Sequence, residues 1–292
     1  MSLAYNAFLA DWLKFEFQDK GFAMIFSEQQ AERYSRHFVL KEIGVKGQKK
    51  LLSSSVLVIG AGALGSNALM YLAAAGVGTL GVADYDSVEL SNLQRQVIHS
   101  TERLGMRKTD SAKLSINEIN PDVTVVRHPE RITAENIREI IEQYDFIVDC
   151  TDRFETKFLI NDACVLSQKP YSHAGAVRFE GQVMTYVPKK GPCLRCLLDR
   201  VPSQEQTVTC SQAGVLGAVT GIIGSIQAAE AIKYLLGTGE LLTGRVLRVD
   251  ALSMRIQTVN IGKGNAKCRI CGDNPEILSL SDNKEEYEVK GC

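Results

Sequence analysis

Val56-Leu57-Val58-Ile59-Gly60-Ala61-Gly62-Ala63-Leu64-Gly65-Ser66 is the stretch that decides the fold. Its first four residues are a short, unbroken apolar run, the mark of a strand buried on both faces. The glycines then follow the spacing G-x-G-x-x-G, and the alanine-rich segment from Ser66 to Ala75 continues as a helix. Strand, glycine turn and helix together give the motif its meaning. The glycines permit a tight turn and close backbone approach, and the helix start offers unpaired N–H groups and positive dipole to a phosphate. Asp84 ends the next apolar run, Thr79 to Ala83, about where a carboxylate takes ribose hydroxyls. Gly60, Gly62, Gly65 and Asp84 are therefore the candidate nucleotide-binding residues. The motif does not separate NAD from ATP, and a plain turn with a capping aspartate is the competing structural reading.

The same alternation continues outward. A helix over Lys108 to Ile119 stops before Pro121, as a proline requires. Strands are expected at Val123 to Arg127 and Asp145 to Asp149, with a helix between them at Ala134 to Glu142. Upstream, Ser27 is placed to cap a helix with Gln30 at the capping-box position, running through Tyr34-Ser35-Arg36. Strands alternating with helices imply an α/β fold with a doubly wound, mainly parallel sheet. After Tyr171 the pattern changes: a strand at Gln182 to Val187, a cysteine-bearing loop to Ser211, a long apolar helix to Leu236, and strands at Arg245 to Asp250 and Ile256 to Ile261. The organisation expected is an N-terminal extension, 1–26, followed by one domain, 27–292, with additional C-terminal strands.

Bulk properties narrow the classes of function. The 292 residues carry a net charge of −1, which gives no electrostatic case for nucleic acid or an anionic membrane surface. The most apolar long stretch, Ala213 to Leu236, is broken by Gln227, Glu230, Lys233 and glycines, so no membrane span is expected. The first residues lack the pattern of a secretory signal, which points to a cytoplasmic protein.

A second set of residues favours ATP. Ser91-Asn92-Leu93-Gln94-Arg95-Gln96 and Gly105-Met106-Arg107-Lys108 follow Asp84, and Asp149-Cys150-Thr151-Asp152 stands at a strand's C-terminal end, where ligands bind in open α/β sheets. A polyphosphate needs fixed cations and its Mg²⁺ needs a carboxylate. Arg95, Lys108 and Asp152 can supply these. A dehydrogenase would instead want a general acid or base; His99, His128 and His173 are available, without a supporting pattern.

The eight cysteines include two C-x-x-C pairs, Cys193/Cys196 and Cys268/Cys271, about 70 residues apart. Four thiolates suit a closed, tetrahedral, structural zinc site. Two such pairs in one chain weigh against a redox motif. Cys150 and Cys164 read as small buried apolar residues. Cys210 lies in a polar stretch before the long helix, a position that tends to lower a thiol pKa.

Taken in order, Arg33 to His37, Gly60 to Gly65, Asp84-Tyr85-Asp86, Ser91 to Gln96, the Lys108 segment, Asp149 to Asp152, Glu180-Gly181-Gln182, the two cysteine pairs and Thr209-Cys210 to Gly214 resemble the MoeB/ThiF/HesA family, relatives of the ubiquitin-activating enzymes. The resemblance covers roughly residues 27 to 275. It implies a Rossmann-like fold and adenylation, with ATP, of the C-terminal glycine of a small ubiquitin-like sulfur carrier (ThiS- or MoaD-like), as in thiamin or molybdopterin biosynthesis. It further implies that Asp84 binds ribose, that Asn92, Arg95 and Lys108 hold phosphates, that Asp152 ligates Mg²⁺, and that Arg36 reaches the partner's site in a homodimer. Some relatives use the cysteine at the Cys210 position to take the activated carrier. Two positions depart from the family pattern: Ala63 replaces a common glycine and Arg107 a usual proline. The rival readings are an NAD-dependent oxidoreductase and a non-catalytic zinc scaffold that binds a carrier. A scaffold has no use for Arg36, Arg95, Lys108 and Asp152 together.

Overall fold

The computed structural model describes residues 26–202 and 213–288. The residues up to Lys50 form one compact unit and those from Leu51 a second. In the first, the capping box at Ser27 is present: the Gln30 amide donates to Ser27 Oγ at 3.2 Å, and the Ser27 amide to Gln30 Oε1 at 3.1 Å. The helix it starts, α1 (Glu28–Arg33), is shorter than expected. Tyr34 leaves helical geometry at φ −97°, ψ 9°, and a separate turn, α2 (Ser35–Phe38), follows. α3 (Gly44–Leu52) runs to the boundary.

The second unit is built on an eight-stranded sheet in the order β3-β2-β1-β4-β5-β6-β7-β8. In chain order its elements are β1 (Ser55–Ile59), α4 (Ala63–Ala74), β2 (Thr79–Ala83), α5 (Lys108–Ile119), β3 (Thr124–His128), α6 (Ile137–Glu142), β4 (Phe146–Asp149), α7 (Phe154–Leu166), β5 (Tyr171–Val177), β6 (Glu180–Tyr186), α8 (Leu194–Leu197), α9 (Gly217–Leu236), β7 (Arg245–Asp250), β8 (Arg255–Asn260) and α10 (Lys284–Tyr287). The first five strands of that order are parallel and the last three run antiparallel. The doubly wound parallel sheet with added C-terminal strands is thus the fold observed. α7 and β5 were not foreseen: Phe154–Leu166 is buried on nearly all sides and mixes Lys157, Asn161 and Asp162 among its buried apolar residues, so it lacks the 3.6-residue contrast that betrays a surface helix.

Alternation along β1 divides the core. Val56 and Val58 pack with α4, α5 and α9 on one face, while Leu57 and Ile59 pack with α6 and α7 on the other. Both faces exclude water, which is why the strand reads as continuously apolar. α9 lies close on α4; a Cβ at Gly224 would stand 2.4 Å from the Leu64 carbonyl oxygen.

Chain order along the sheet reverses at β1. β2 and β3 lie to one side of it and β4 to the other. The cleft at the carboxyl ends of β1 and β4 is therefore the switch point at which such sheets bind ligands. Register brings Ile59, Ala83, Asp149 and His173 to that edge.

A buried ionic network fixes the far side. Arg195 makes a two-pronged contact with Asp162, Nε to Oδ1 at 2.8 Å and Nη2 to Oδ2 at 2.7 Å, with neither side chain exposed. Tyr287 donates to Asp162 Oδ2 at 2.6 Å, and Arg195 Nη1 reaches Glu286 at 3.0 Å. The guanidinium also lies over the Phe158 ring, 4.7 Å from its centre. Removing one partner of a buried pair strands a charge, at a cost of about 3–5 kcal/mol. Asp162→Ala is expected to lose that much stability in urea denaturation, and Asp162→Leu combined with Arg195→Met to regain most of it. A loss below about 1 kcal/mol in the single variant would refute the account.

Candidate functional site

The glycine turn is tight because nothing larger than hydrogen fits. A Cβ on Gly65 would stand 1.9 Å from the Gly60 carbonyl oxygen, and one on Gly60 2.8 Å from that of Cys150. Gly60 also has φ +96°, a conformation that side chains resist. These contacts lay the Cys150-Thr151 backbone directly on the turn. α4 begins at Ala63 with Gly62 as its cap, so the alanine occupies an ordinary first helical position, where glycine is not required.

Asp84 braces the turn from the β2 side. Its Oδ2 accepts from the Ala61 amide at 2.8 Å and its Oδ1 from the Asp86 amide at 2.9 Å. Burial raises its pKa above the usual carboxylate value, with the Lys108 charge acting against that. Lys108, the first residue of α5, is itself buried and its Nζ meets Asp86 Oδ2 at 3.0 Å. Arg107 caps that helix at φ −55°, the angle a proline would impose, so the arginine preserves the entry into α5.

His99 completes the support. Its Nε2 lies 2.9 Å from the Ala61 carbonyl, which can only accept; Nε2 therefore carries the proton, and Nδ1 accepts from Ser111 Oγ at 2.9 Å. Burial pushes its pKa down to about 4, so the ring is neutral at pH 7. His99 holds the turn and is not placed as a free acid or base. No pattern in the sequence announced this, because the partner is a backbone carbonyl 38 residues away.

Of the remaining expected residues, Asn92 is buried and accepts from the Glu89 amide at 3.3 Å. Arg95 Nη1 donates to the Ser91 carbonyl at 2.9 Å, and the start of α9 packs on its backbone, where a Cβ at Gly217 would lie 3.2 Å from Arg95 Cα. Buried Gln96 faces Gly62, and its Oε1 has no partner among the described residues. Asp152 is exposed and forms no hydrogen bond or ion pair among the described residues. Its neighbour Asp149 is fully buried and takes four donors: the Thr151 amide and hydroxyl at 3.0 and 2.7 Å, Lys157 Nζ at 3.2 Å and His173 Nδ1 at 2.8 Å. Burial alone would raise its pKa, but Lys157 and His173 hold it well below the carboxylate range. His173 is pushed down by burial and by Lys157, so it pairs as a neutral donor. Arg36 sits exposed on α2 of the first unit. Cys210 and Cys292 lie outside the described residues.

The two cysteine pairs converge. Cys193, Cys196, Cys268 and Cys271 place their sulfurs within 4.8 Å of one another, with individual separations of 3.4 to 4.0 Å. A tetrahedral zinc at about 2.3 Å from each sulfur requires about 3.8 Å between sulfurs. The donor set and its size therefore fit zinc, and the cluster could hold one ion. The Asn265 amide donates to Cys196 Sγ at 3.4 Å, as expected around a thiolate ligand. Arg195 and Arg269, the inner residues of the two pairs, both bind Glu286. Cys150 and Cys164 are buried, as expected.

The ThiF family model matches residues 34–270. Among curated proteins, the chain is 44% identical over 264 residues to an adenylyltransferase and sulfurtransferase MOCS3 of Culex quinquefasciatus, covering 90% of this chain and 60% of that protein. The counterpart from Anopheles gambiae is 41% identical over 273 residues, covering 94% and 62%. The chain thus spans about three fifths of the length of the curated relatives it matches. Among solved structures, Escherichia coli MccB with ATP superposes with a TM-score of 0.71 at 25% identity, over 88% of this chain and 80% of that one. MccB with succinimide gives 0.72 at 25% identity, over 82% and 74%.

Metal analysis of protein purified without chelator is expected to find about one zinc per chain, and Cys193→Ser to lower both zinc content and thermal stability, since structural zinc contributes folding energy directly. Four freely reactive thiols and no metal would refute the site.

Proposed function

The chain belongs to the ThiF family, and from that premise we propose that it is an ATP-dependent adenylyltransferase acting on the C-terminal carboxylate of a small ubiquitin-like sulfur carrier. The observation that carries this reading is the convergence, at the β1/β4 switch point, of the glycine turn, the buried ammonium of Lys108 and the loop bearing Asp152. Thiamin-type and molybdopterin-type carriers present the same terminal carboxylate. The similarity to MOCS3 proteins favours the molybdopterin type. Among the described residues no helix is long and apolar enough to cross a membrane.

A carboxylate is a poor electrophile because its leaving group would be oxide. Attack by the carboxylate on the α-phosphorus of ATP forms the mixed anhydride and expels pyrophosphate, after which AMP is a competent leaving group. That step asks for in-line positioning and charge neutralisation and needs no side-chain nucleophile. In this reading the α4 start and the Gly60–Gly65 amides cradle the phosphates, Asn92, Arg95 and Lys108 bind their oxygens, and Asp84 takes the ribose. Asp152, an oxygen donor with no other partner among the described residues, suits Mg²⁺, which neutralises charge on the phosphates when bound. Arg36 of one copy serves the site of a second copy in a homodimer. Cys210 has no part in adenylation and is reserved for any later capture of the activated carrier. The histidines that an NAD-dependent alternative would call on are engaged: His99 with the Ala61 carbonyl and Ser111, His173 with Asp149, and His128 with the Tyr144 hydroxyl.

Lys108→Ala and Asp152→Ala are each expected to lose carrier-dependent ATP–pyrophosphate exchange by about 100-fold or more, the scale of a charge acting in the transition state. Near-normal exchange in either folded variant would refute the placement of the site. Mixing Arg36→Ala with Asp152→Ala should restore part of the activity, because one hybrid site is then intact. No recovery despite demonstrated subunit exchange would remove the role given to Arg36.

A further inference from the structure

Asp149 is the most heavily engaged acidic group near the cleft, and none of its partners belongs to the proposed ATP contacts. Its two carboxylate oxygens face different ways. Oδ1 takes both donors of Thr151, the amide at 3.0 Å and the hydroxyl at 2.7 Å. Oδ2 takes Lys157 Nζ at 3.2 Å and His173 Nδ1 at 2.8 Å. Lys157, in the first turns of α7, also donates to the Ala174 carbonyl on β5 at 2.6 Å. The Asp149 carbonyl accepts from Gln227 of α9 at 2.9 Å, and the Cys150 amide bonds Ile59 at 2.9 Å. The strand end is thereby tied to β1, β5, α7 and α9, while the backbone at Cys150-Thr151 rests on Gly60. One residue further on, the Asp152 side chain is exposed and has no partner among the described residues.

Burying a carboxylate and an ammonium is expensive, and a well-packed apolar pair often serves stability as well or better. An apolar pair, however, offers nothing to hold the Thr151 amide and hydroxyl. From this we infer that Thr151 and Lys157 are positioning residues, acting through Asp149 to fix the backbone from which Asp152 reaches the metal–nucleotide. The inference rests on the adenylation reading above and assigns Asp152 its aim as well as its role. Lys157 keeps Asp149 ionised inside the fold, and the ionised carboxylate accepts both Thr151 donors. Without that acceptor the turn at Thr151 is free to rotate, and a displacement of about 1 Å can cost 100-fold in rate.

The experiment uses the full-length protein and compares Thr151→Val, Thr151→Ser, Lys157→Met and Asp152→Ala. Thr151→Val removes one hydroxyl at nearly constant volume and leaves the Thr151 amide on Asp149, a milder change that keeps the test decisive even if Lys157→Met fails to fold. ATP affinity is measured by calorimetry with and without Mg²⁺, alongside carrier-dependent pyrophosphate exchange. Thr151→Val is expected to bind ATP normally without Mg²⁺, to lose most of the Mg²⁺-dependent gain in affinity, and to lower the exchange kcat by about tenfold or more with the KM for the carrier unchanged. Thr151→Ser should restore both. Lys157→Met, where folded, should resemble Asp152→Ala. If Thr151→Val keeps the Mg²⁺-dependent gain and kcat while Asp152→Ala loses them, the positioning role is refuted and the site reading stands. The role is equally refuted if Thr151→Val weakens ATP binding without metal, or if serine fails to rescue. If Asp152→Ala itself behaves as wild type, the role given to Asp152 falls and the inference with it; absence of carrier-dependent exchange in the unaltered protein is what would overturn the adenylation reading.

Discussion

The chain's architecture depends on a backbone crossing in which the Gly60 turn and the Cys150-Thr151 segment meet at van der Waals distance. Gly60 and Gly65 make it possible, since a Cβ at either would intrude on a carbonyl oxygen at 2.8 or 1.9 Å. The crossing sits where chain order reverses, so the loops after β1 and β4 are driven apart by topology and pressed together by the missing side chains. A cleft floored by backbone amides results. The polar residues nearby are best understood as supports for that crossing. Asp84 and His99 hold the amide and the carbonyl of Ala61 from one side, and Asp149 grips Thr151 from the other.

This explains a division of labour among the acidic residues. Asp149 and Asp162 are wholly buried, multiply bonded and inward-looking; Asp152 is exposed and has no partner among the described residues. A buried carboxylate saturated with donors cannot also serve a transient ligand without breaking bonds that the low dielectric has made costly to lose. On the proposed reading, the groups left for chemistry are those with few bonds among the described residues: Asp152, Arg95, and Lys108, whose carboxylate partner Asp86 is half exposed.

Much of this was legible in the sequence where a local pattern exists. The strand–turn–helix at Val56 to Ala75 follows from hydropathy and glycine spacing alone, and the cysteine pairs follow from ligand type and interval. α7 and β5 were missed because an element buried on every side carries no periodic contrast. His99, Lys157 and the Arg195–Asp162 pair were invisible for a different reason: their partners lie 38, 8 and 33 residues away and include a main-chain carbonyl, which has no letter in the sequence. Arg107 and Ala63 show the converse. Each breaks a residue pattern, yet each keeps a backbone angle or helical position that its substitute tolerates, so departures in the letters leave the turn intact.

The cysteine cluster and the cleft belong to one frame through α7. That helix carries Lys157 near its start, which pairs with Asp149 under the cleft, and Asp162 one to two turns later, which pairs with Arg195 between the first two cysteines. Successive turns of a helix rise about 5.4 Å each, so the two ion pairs are held at a fixed separation by a rigid element. Arg195 and Arg269 then meet at Glu286, which binds both cysteine loops to α10. An ion held by the four sulfurs would lock the loops that position Arg195. Any influence of such an ion on the cleft would run through Asp162 and α7, the helix that carries both ion pairs. That is a reason for a catalytic fold to keep a closed metal site remote from its chemistry: the site fixes the helix, and the helix fixes the charge beneath the turn.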